Sequence, residues 1–302
     1  MSSRKIQILA DLALVFVTLV WGATFVSVKE AIQFIEPFYF LAIRFAIATL
    51  IMLAVTNKRL SRLTTGSLFK GIIIGLVLFT AYSFQTFGLQ YTTASNAGFI
   101  TGLSVVLVPV LLTLVTKKLP GLMSAAGIIS ATVGLGLLTI NDSLSFNYGD
   151  ILVLFCAVSY AIHIMLVGKY SPDNDPFILA TVQIATVASA SWIAALIKET
   201  APSAVNLNAQ VWEAILITAV FATALAFFLQ TWTQKFTSPT HTAIIFTAEP
   251  VFAALFAFLL GGELFTVRQG IGALFILTGM LVSEFSDRPA VPEELVEDSL
   301  KV

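Results

Sequence analysis

Long apolar blocks joined by short polar connections dominate this chain. A helix needs about 20 mostly apolar residues to cross a hydrocarbon layer. Ten blocks reach that length, near residues 8–30, 37–56, 68–88, 94–116, 121–141, 149–168, 177–197, 211–234, 240–261 and 264–285. The first block lacks a small-residue cleavage site and ends in Trp21-Gly22-Ala23-Thr24-Phe25, so it reads as a retained span and not a secretory signal. The pattern predicts an all-α integral membrane fold of ten transmembrane helices. Residues 1–7 form a short N-terminal segment, and residues 286–302, with their prolines and acids, read as a disordered acidic tail.

Composition agrees with the pattern. Of 302 residues, 58% are hydrophobic and 11% charged, against about 25% charged in a soluble domain. The single cysteine, Cys156, excludes an internal disulfide and sits in an apolar run suited to packing. A net charge of −1 with no basic patch gives no reason to expect nucleic acid as a partner. The expected partners are the lipid bilayer and a small-molecule substrate; the sequence sets no oligomeric state.

Lys and Arg concentrate on the cytoplasmic side of membrane proteins. With the N-terminus inside, the inner segments hold Arg4, Lys5, Lys58, Arg59, Arg62, Lys70, Lys117, Lys118, Lys169, Lys235, Arg288 and Lys301. The outer ones hold Lys29, Lys198 and Arg268, and Arg44 lies within a block. Twelve against three predicts a cell-membrane protein with both termini cytoplasmic.

The chain also overlays itself. At an offset of 139, Asp11–Ala46 falls on Asp150–Ala185, matching Glu36-Pro37-Phe38 to Asp175-Pro176-Phe177. At 145, Gln85-Thr86-Phe87 falls on Gln230-Thr231-Trp232, and Tyr91-Thr92-Thr93 on Phe236-Thr237-Ser238. A four-residue register shift then brings Pro109-Val110 onto Pro250-Val251, and Gly127 and Gly136 meet Gly270 and Gly279. The units, 8–141 and 149–285, hold five spans each, so the second is inverted relative to the first. Inverted repeats are a transporter architecture with the site near the bilayer midplane.

Trp21-Gly22-Ala23-Thr24-Phe25 resembles the WG-x-x-F opening of the EamA domain, and Pro37 with Arg44 its P-x(6)-R second span. Glu249-Pro250-Val251, Gly262-Glu263 and the glycine-rich last span resemble the end of its second copy. The first copy departs from that pattern, ending Lys117-Lys118-Leu119-Pro120 without Gly-Glu. The resemblance covers the chain apart from its tails, as two EamA repeats of the drug/metabolite transporter superfamily. It implies a basket-shaped bundle with a central cavity lined mainly by spans 1, 3, 4, 6, 8 and 9, and movement of amino acids or other small metabolites, often outward.

The polar residues inside the blocks are the candidate site. A charged side chain at membrane depth is costly and usually faces a bundle interior or watery cavity. Glu249 and the helix-disrupting Pro250 are adjacent inside the stretch Pro239–Glu263. Glu249 is either a structural carboxyl, protonated or bonded to Thr247 or a neighbouring span, or a titrating group that couples protons to transport. Its repeat mate is the neutral Val108. Arg44, whose mate is Gln183, either snorkels and bonds helix-end carbonyls or offers a cavity charge to a substrate carboxylate. An Arg44–Glu249 ion pair is a further expectation to test. His163, mate of Thr24, is a backbone-bonded or relay histidine, and His241 is expected as a solvated cap at the start of span 9. Tyr82 and Gln85 in span 3, Asn96 and Ser104 in span 4, Gln230 in span 8 and Trp21 and Thr24 in span 1 complete the pathway candidates. These polar groups either join helices or line a wet path. Pro109 and Pro250 are candidate kinks or gates.

No metal-spaced His/Cys cluster, G-x-S-x-G or phosphate loop is present, so neither an enzyme site nor a cofactor is expected. The sequence reading is a secondary transporter of small polar metabolites working by alternating access, amino acid efflux being the best single guess. Uptake, or export of drugs or other metabolites, are rivals within transport. A non-transporting membrane sensor or scaffold is the rival from another class.

Overall fold

A computed structural model describes residues 3–139, 147–261 and 266–284. Helices fill the ten expected places, and no strand occurs among the described residues. Five are continuous near their full length: Ser3–Ala31 (span 1), Pro37–Thr56 (span 2), Thr65–Leu89 (span 3), Tyr148–Tyr170 (span 6) and Pro176–Lys198 (span 7). Span 5 is Leu122–Thr139 and span 10 is Val267–Glu284, each 18 residues. At about 1.5 Å per residue these two are about 27 Å long. Among the described residues, eight segments are membrane-span candidates by length and composition, while spans 5 and 10 contribute the shorter apolar stretches Leu122–Leu137 and Gly270–Val282. The acidic tail and the Gly262-Glu263 pair lie outside the described residues.

Three spans are not regular helices. Span 4 is Ala94–Gly102 followed by Ser104–Thr116, and span 9 is Pro239–Phe246 followed by Ala248–Gly261. Span 8 passes from Ala209–Ala219 through a π-helical turn, Val220–Leu225, into Ala226–Thr233. Pro250 follows the break in span 9 by three residues. It has no N–H to give the carbonyl of Phe246 four residues back, and at the break itself the Thr247 N–H bonds the Ile244 carbonyl, three residues back, at 3.1 Å. Pro109 behaves differently: it lies inside the continuous helix Ser104–Thr116, and span 4 opens at Leu103, six residues before it. The two prolines therefore do not mark equivalent breaks. The breaks themselves cross, because a Cβ on Gly102 would stand 2.9 Å from Pro250 Cγ.

Packing follows the repeat. Span 2 lies against span 7 and span 5 against span 10, each helix facing its own mate. Span 3 packs on spans 6 and 7, while span 8 packs on spans 1 and 2; span 4 packs on span 6, and span 9 on span 1. This exchange of partners is what a two-fold relation between five-helix halves requires. Spans 5 and 10 touch through backbone: a Cβ on Gly134 would be 2.5 Å from the Gly272 carbonyl, and one on Gly279 2.7 Å from that of Gly127. Small residues allow such approach where lipid offers helices no hydrophobic incentive to associate. The helix starts repeat as well. Thr93 and Ser238, 145 apart, cap spans 4 and 9 by accepting from the backbone N–H of Asn96 and His241. Glu199, just past span 7, accepts from the N–H groups of Phe38 and Tyr39 at the start of span 2, both at 2.9 Å. Burial raises its pKa above the ordinary carboxylate value, and those two amides oppose the shift.

Candidate functional site

The alternation of spans puts residues 3–11, 57–64, 117–121, 171–175 and 234–238 at one end, the N-terminal face, and the remaining connections at the opposite face. Between them, where the breaks in spans 4 and 9 cross, lies a cavity of about 40 Å³. At roughly 10–15 Å³ per water, that is room for about three waters. Its walls come from the second half of spans 1 and 3, the first half of span 2, the middle of span 6 and both breaks, so it extends from mid-depth toward the opposite face.

Arg44 enters this cavity from span 2 and is 4% exposed. It does not snorkel. Its Nε donates to Thr223 Oγ1 at 2.8 Å, and one terminal nitrogen donates to Tyr82 Oη at 3.2 Å and to the Ala222 carbonyl at 3.4 Å. The guanidinium also stands 4.8 Å from the centre of the Tyr82 ring, within cation–π range. The π turn of span 8 supplies both acceptors on that helix. Thr223 Oγ1 in turn donates to the carbonyl of Thr218, five residues back, at 2.8 Å. Trp21 Nε1 donates to the same buried Ala222 carbonyl at 2.9 Å. Such π bulges free backbone groups from the regular ladder, and here the freed oxygen holds a cation in place.

Glu249 lies in the first turn after the break in span 9, 6% exposed, and lines the same cavity. Its carboxyl has no hydrogen-bond or ion-pair partner among the described residues. The expected bond to Thr247 is not formed, because the Thr247 hydroxyl donates to the Ile244 carbonyl. Nor do Arg44 and Glu249 form an ion pair; Arg44's partners are a hydroxyl, a phenol and a carbonyl. One cavity thus presents a guanidinium anchored on one edge and a carboxyl with no protein partner.

Other expected residues divide. Trp21, Thr24, Tyr82, Gln85 and Ser104 line the cavity, and Gln85 Nε2 donates to Thr101 Oγ1 at 3.3 Å. Asn96, Pro109, His163, Gln230 and Pro250 are not among its lining residues. Asn96 sits partly exposed in the first turn of span 4. His163 is fully buried and bonds a side-chain amide, Gln183 Oε1 at 2.9 Å, instead of a backbone carbonyl; Gln183 Nε2 continues to Thr231 Oγ1 at 3.0 Å. Gln230 Nε2 donates to Gln234 Oε1 at 3.1 Å. His241 is no solvated cap: it is 7% exposed, and its Nε2 lies 3.0 Å from Asp11 Oδ1 in span 1. Sequence reading did not single out Thr223, Ala222 or Tyr160. A hydroxyl-bearing residue facing Arg44's depth was the available hint for Thr223, but nothing in Val220–Leu225 announces a π turn.

Comparison with known proteins gives a consistent result. The model of the EamA-like transporter family matches residues 8–140 and again 147–285. An "Uncharacterized transporter" of Archaeoglobus fulgidus is 39% identical over 277 residues, spanning 91% of this chain and 86% of that protein. An uncharacterized transporter of Bacillus subtilis is 27% identical, over 87% of this chain and 89% of its own length. A WAT1-related chloroplastic protein of Arabidopsis thaliana is 26% identical over 88% of this chain and 67% of its own. A solved crystal structure superposes with a TM-score of 0.74 at 18% identity, covering 91% of this chain and 96% of that one, a likeness of fold.

Proposed function

The chain belongs to the EamA-like transporter family, and from that premise we propose that it carries small zwitterionic metabolites, amino acids foremost, across the cell membrane by alternating access. The observation that carries this reading is the pair of opposite, mutually unpaired groups in one mid-depth cavity. Arg44 is anchored on one edge by Thr223, Tyr82 and Ala222, which suits the rest of its planar fork to a carboxylate. Glu249 suits an ammonium. A substrate bearing both charges satisfies both residues at once; one without a carboxylate leaves Arg44 uncompensated, and one without an ammonium cannot take the place of a proton on Glu249.

The same carboxyl gives a coupling route. Glu249 can hold a proton or the substrate ammonium, but not both. Loading substrate on one side expels the proton, and releasing it on the other side admits a proton. Proton and substrate therefore move in opposite directions, which drives efflux when protons are more concentrated outside. The excess of Lys and Arg in segments at the N-terminal face supports a cytoplasmic location for both termini. The cavity holds about three waters' volume, so the conformation described is a constricted one that must widen to load substrate.

A resistance screen tests the reading. Cells expressing the chain, challenged with a panel of toxic amino acid analogues, are expected to survive at least one of them, with Arg44→Ala abolishing the protection. Survival on no analogue, or protection untouched by Arg44→Ala, counts against it.

A further inference from the structure

The cavity accounts for the path from mid-depth toward the opposite face and leaves the other half unassigned. Its floor is Tyr160 and Ile164 of span 6. Directly below, Gln234 Nε2 donates to the Ile164 carbonyl at 2.9 Å and Gln230 Nε2 donates to Gln234 Oε1. Among the described residues, six buried side-chain atoms have no hydrogen-bond partner: His163 Nδ1, Ser171 Oγ, Ser191 Oγ, Gln230 Oε1, Thr237 Oγ1 and Thr242 Oγ1. Apart from Ser191, all lie on spans 6, 8 and 9 or their ends; His163 is level with the cavity floor, and Ser171, Gln230, Thr237 and Thr242 lie on its N-terminal-face side. A buried polar atom without a partner loses its hydration and gains nothing in return. Four such atoms along one seam below the floor make sense if a second conformation admits water and substrate there.

The seam is shut at its mouth. Asp11 of span 1 meets His241 in the first turn of span 9. At the opposite face Asp150, which the repeat pairs with Asp11, accepts from the Thr92 hydroxyl just before span 4. Each contact joins the first span of one repeat to the start of the fourth span of the other. At the same mouth, a Cβ on Gly168 would stand 2.6 Å from Pro239 Cγ, so span 6 closes directly on the start of span 9.

We infer that the seam between spans 6, 8 and 9 is the N-terminal-face half of the permeation path, with Gln230 and Thr242 as substrate-contacting residues in the other half of the cycle and Asp11–His241 as the latch that keeps it closed. This rests on the transporter reading but is tested without a substrate. In a Cys156→Ala background, Thr242→Cys and Gln230→Cys are exposed to a membrane-impermeant maleimide in right-side-out and inverted vesicles. Labelling is expected to be slow with the latch intact. It should rise about tenfold when Asp11→Ala, or independently Gly168→Ala, is added, and only from the N-terminal face. Ser191→Cys, buried and unpartnered but outside the seam, should stay unreactive. Labelling that does not respond to either latch variant, that comes from the opposite face, or that rises equally at Ser191→Cys overturns the assignment. If labelling behaves as expected while no solute exchanges, the transport reading fails and the path stands.

Discussion

Arg44→Lys is the substitution that separates a positioned guanidinium from a mere positive charge. Lysine keeps the charge, but a single ammonium cannot donate to Thr223 and to the Tyr82–Ala222 pair in the geometry of the fork. The bond lost outright is the 2.8 Å contact from Nε to Thr223; the other two, at 3.2 and 3.4 Å, are long and contribute less. A hydrogen bond to a charged group is worth about 1.5–3 kcal/mol. If that bond serves to aim the remaining donors at a substrate carboxylate, its loss appears in substrate affinity, roughly 10- to 100-fold at about 1.4 kcal/mol per decade. The assay is amino acid counterflow in proteoliposomes at several external concentrations, read as the half-saturation constant, beside thermal unfolding of the same variant in detergent. The reasoning is refuted if Arg44→Lys unfolds earlier but exchanges substrate with unchanged half-saturation, because the arginine is then a structural tie.

Further expectations follow from the same contacts. Thr223→Val removes the acceptor from Arg44 Nε and should weaken substrate affinity about tenfold, with Thr223→Ser, which keeps the hydroxyl, restoring it; equal behaviour of the two variants in flux measurements would contradict this. Glu249→Gln, which can neither titrate nor pair with an ammonium, should weaken exchange at equal pH and abolish accumulation driven by a pH gradient, and accumulation that persists would show that Glu249 is not the coupling group. Gly279→Ala places a Cβ 2.7 Å from the Gly127 carbonyl and should lower stability by about 1–3 kcal/mol through overpacking. Gly136→Ala meets nothing within 4 Å and should leave the unfolding temperature unchanged.

The architecture was legible because it rests on block length and on an internal repeat, both of which survive in sequence. The offset that aligns Thr93 with Ser238 also aligns two helix caps, and Gly127 and Gly279, both read from the repeat, lie where spans 5 and 10 touch. Charge at membrane depth pointed to Arg44 and Glu249 for a physical reason: such residues are tolerated only where something compensates them. What compensates Arg44 was not legible, since a π turn leaves no residue signature and its carbonyl belongs to an alanine. Pro109 does not mark the opening of span 4, because proline removes a hydrogen bond wherever it stands but does not dictate where a helix gives way; span 4 opens at Leu103, beside Gly102. His241 misled because position near a helix start suggests solvent, whereas the inverted partner span brings Asp11 over it.

The central claim is that one cavity recognises the two charges of a zwitterion and carries it across. Counterflow of a radiolabelled amino acid into proteoliposomes preloaded with test compounds addresses it most directly. Preloaded amino acid should drive uptake, while its methyl ester, which lacks the charge for Arg44, and its N-acetyl derivative, which lacks the charge for Glu249, should not. Equal stimulation by all three, or exchange with no member of an amino acid panel, would contradict the account.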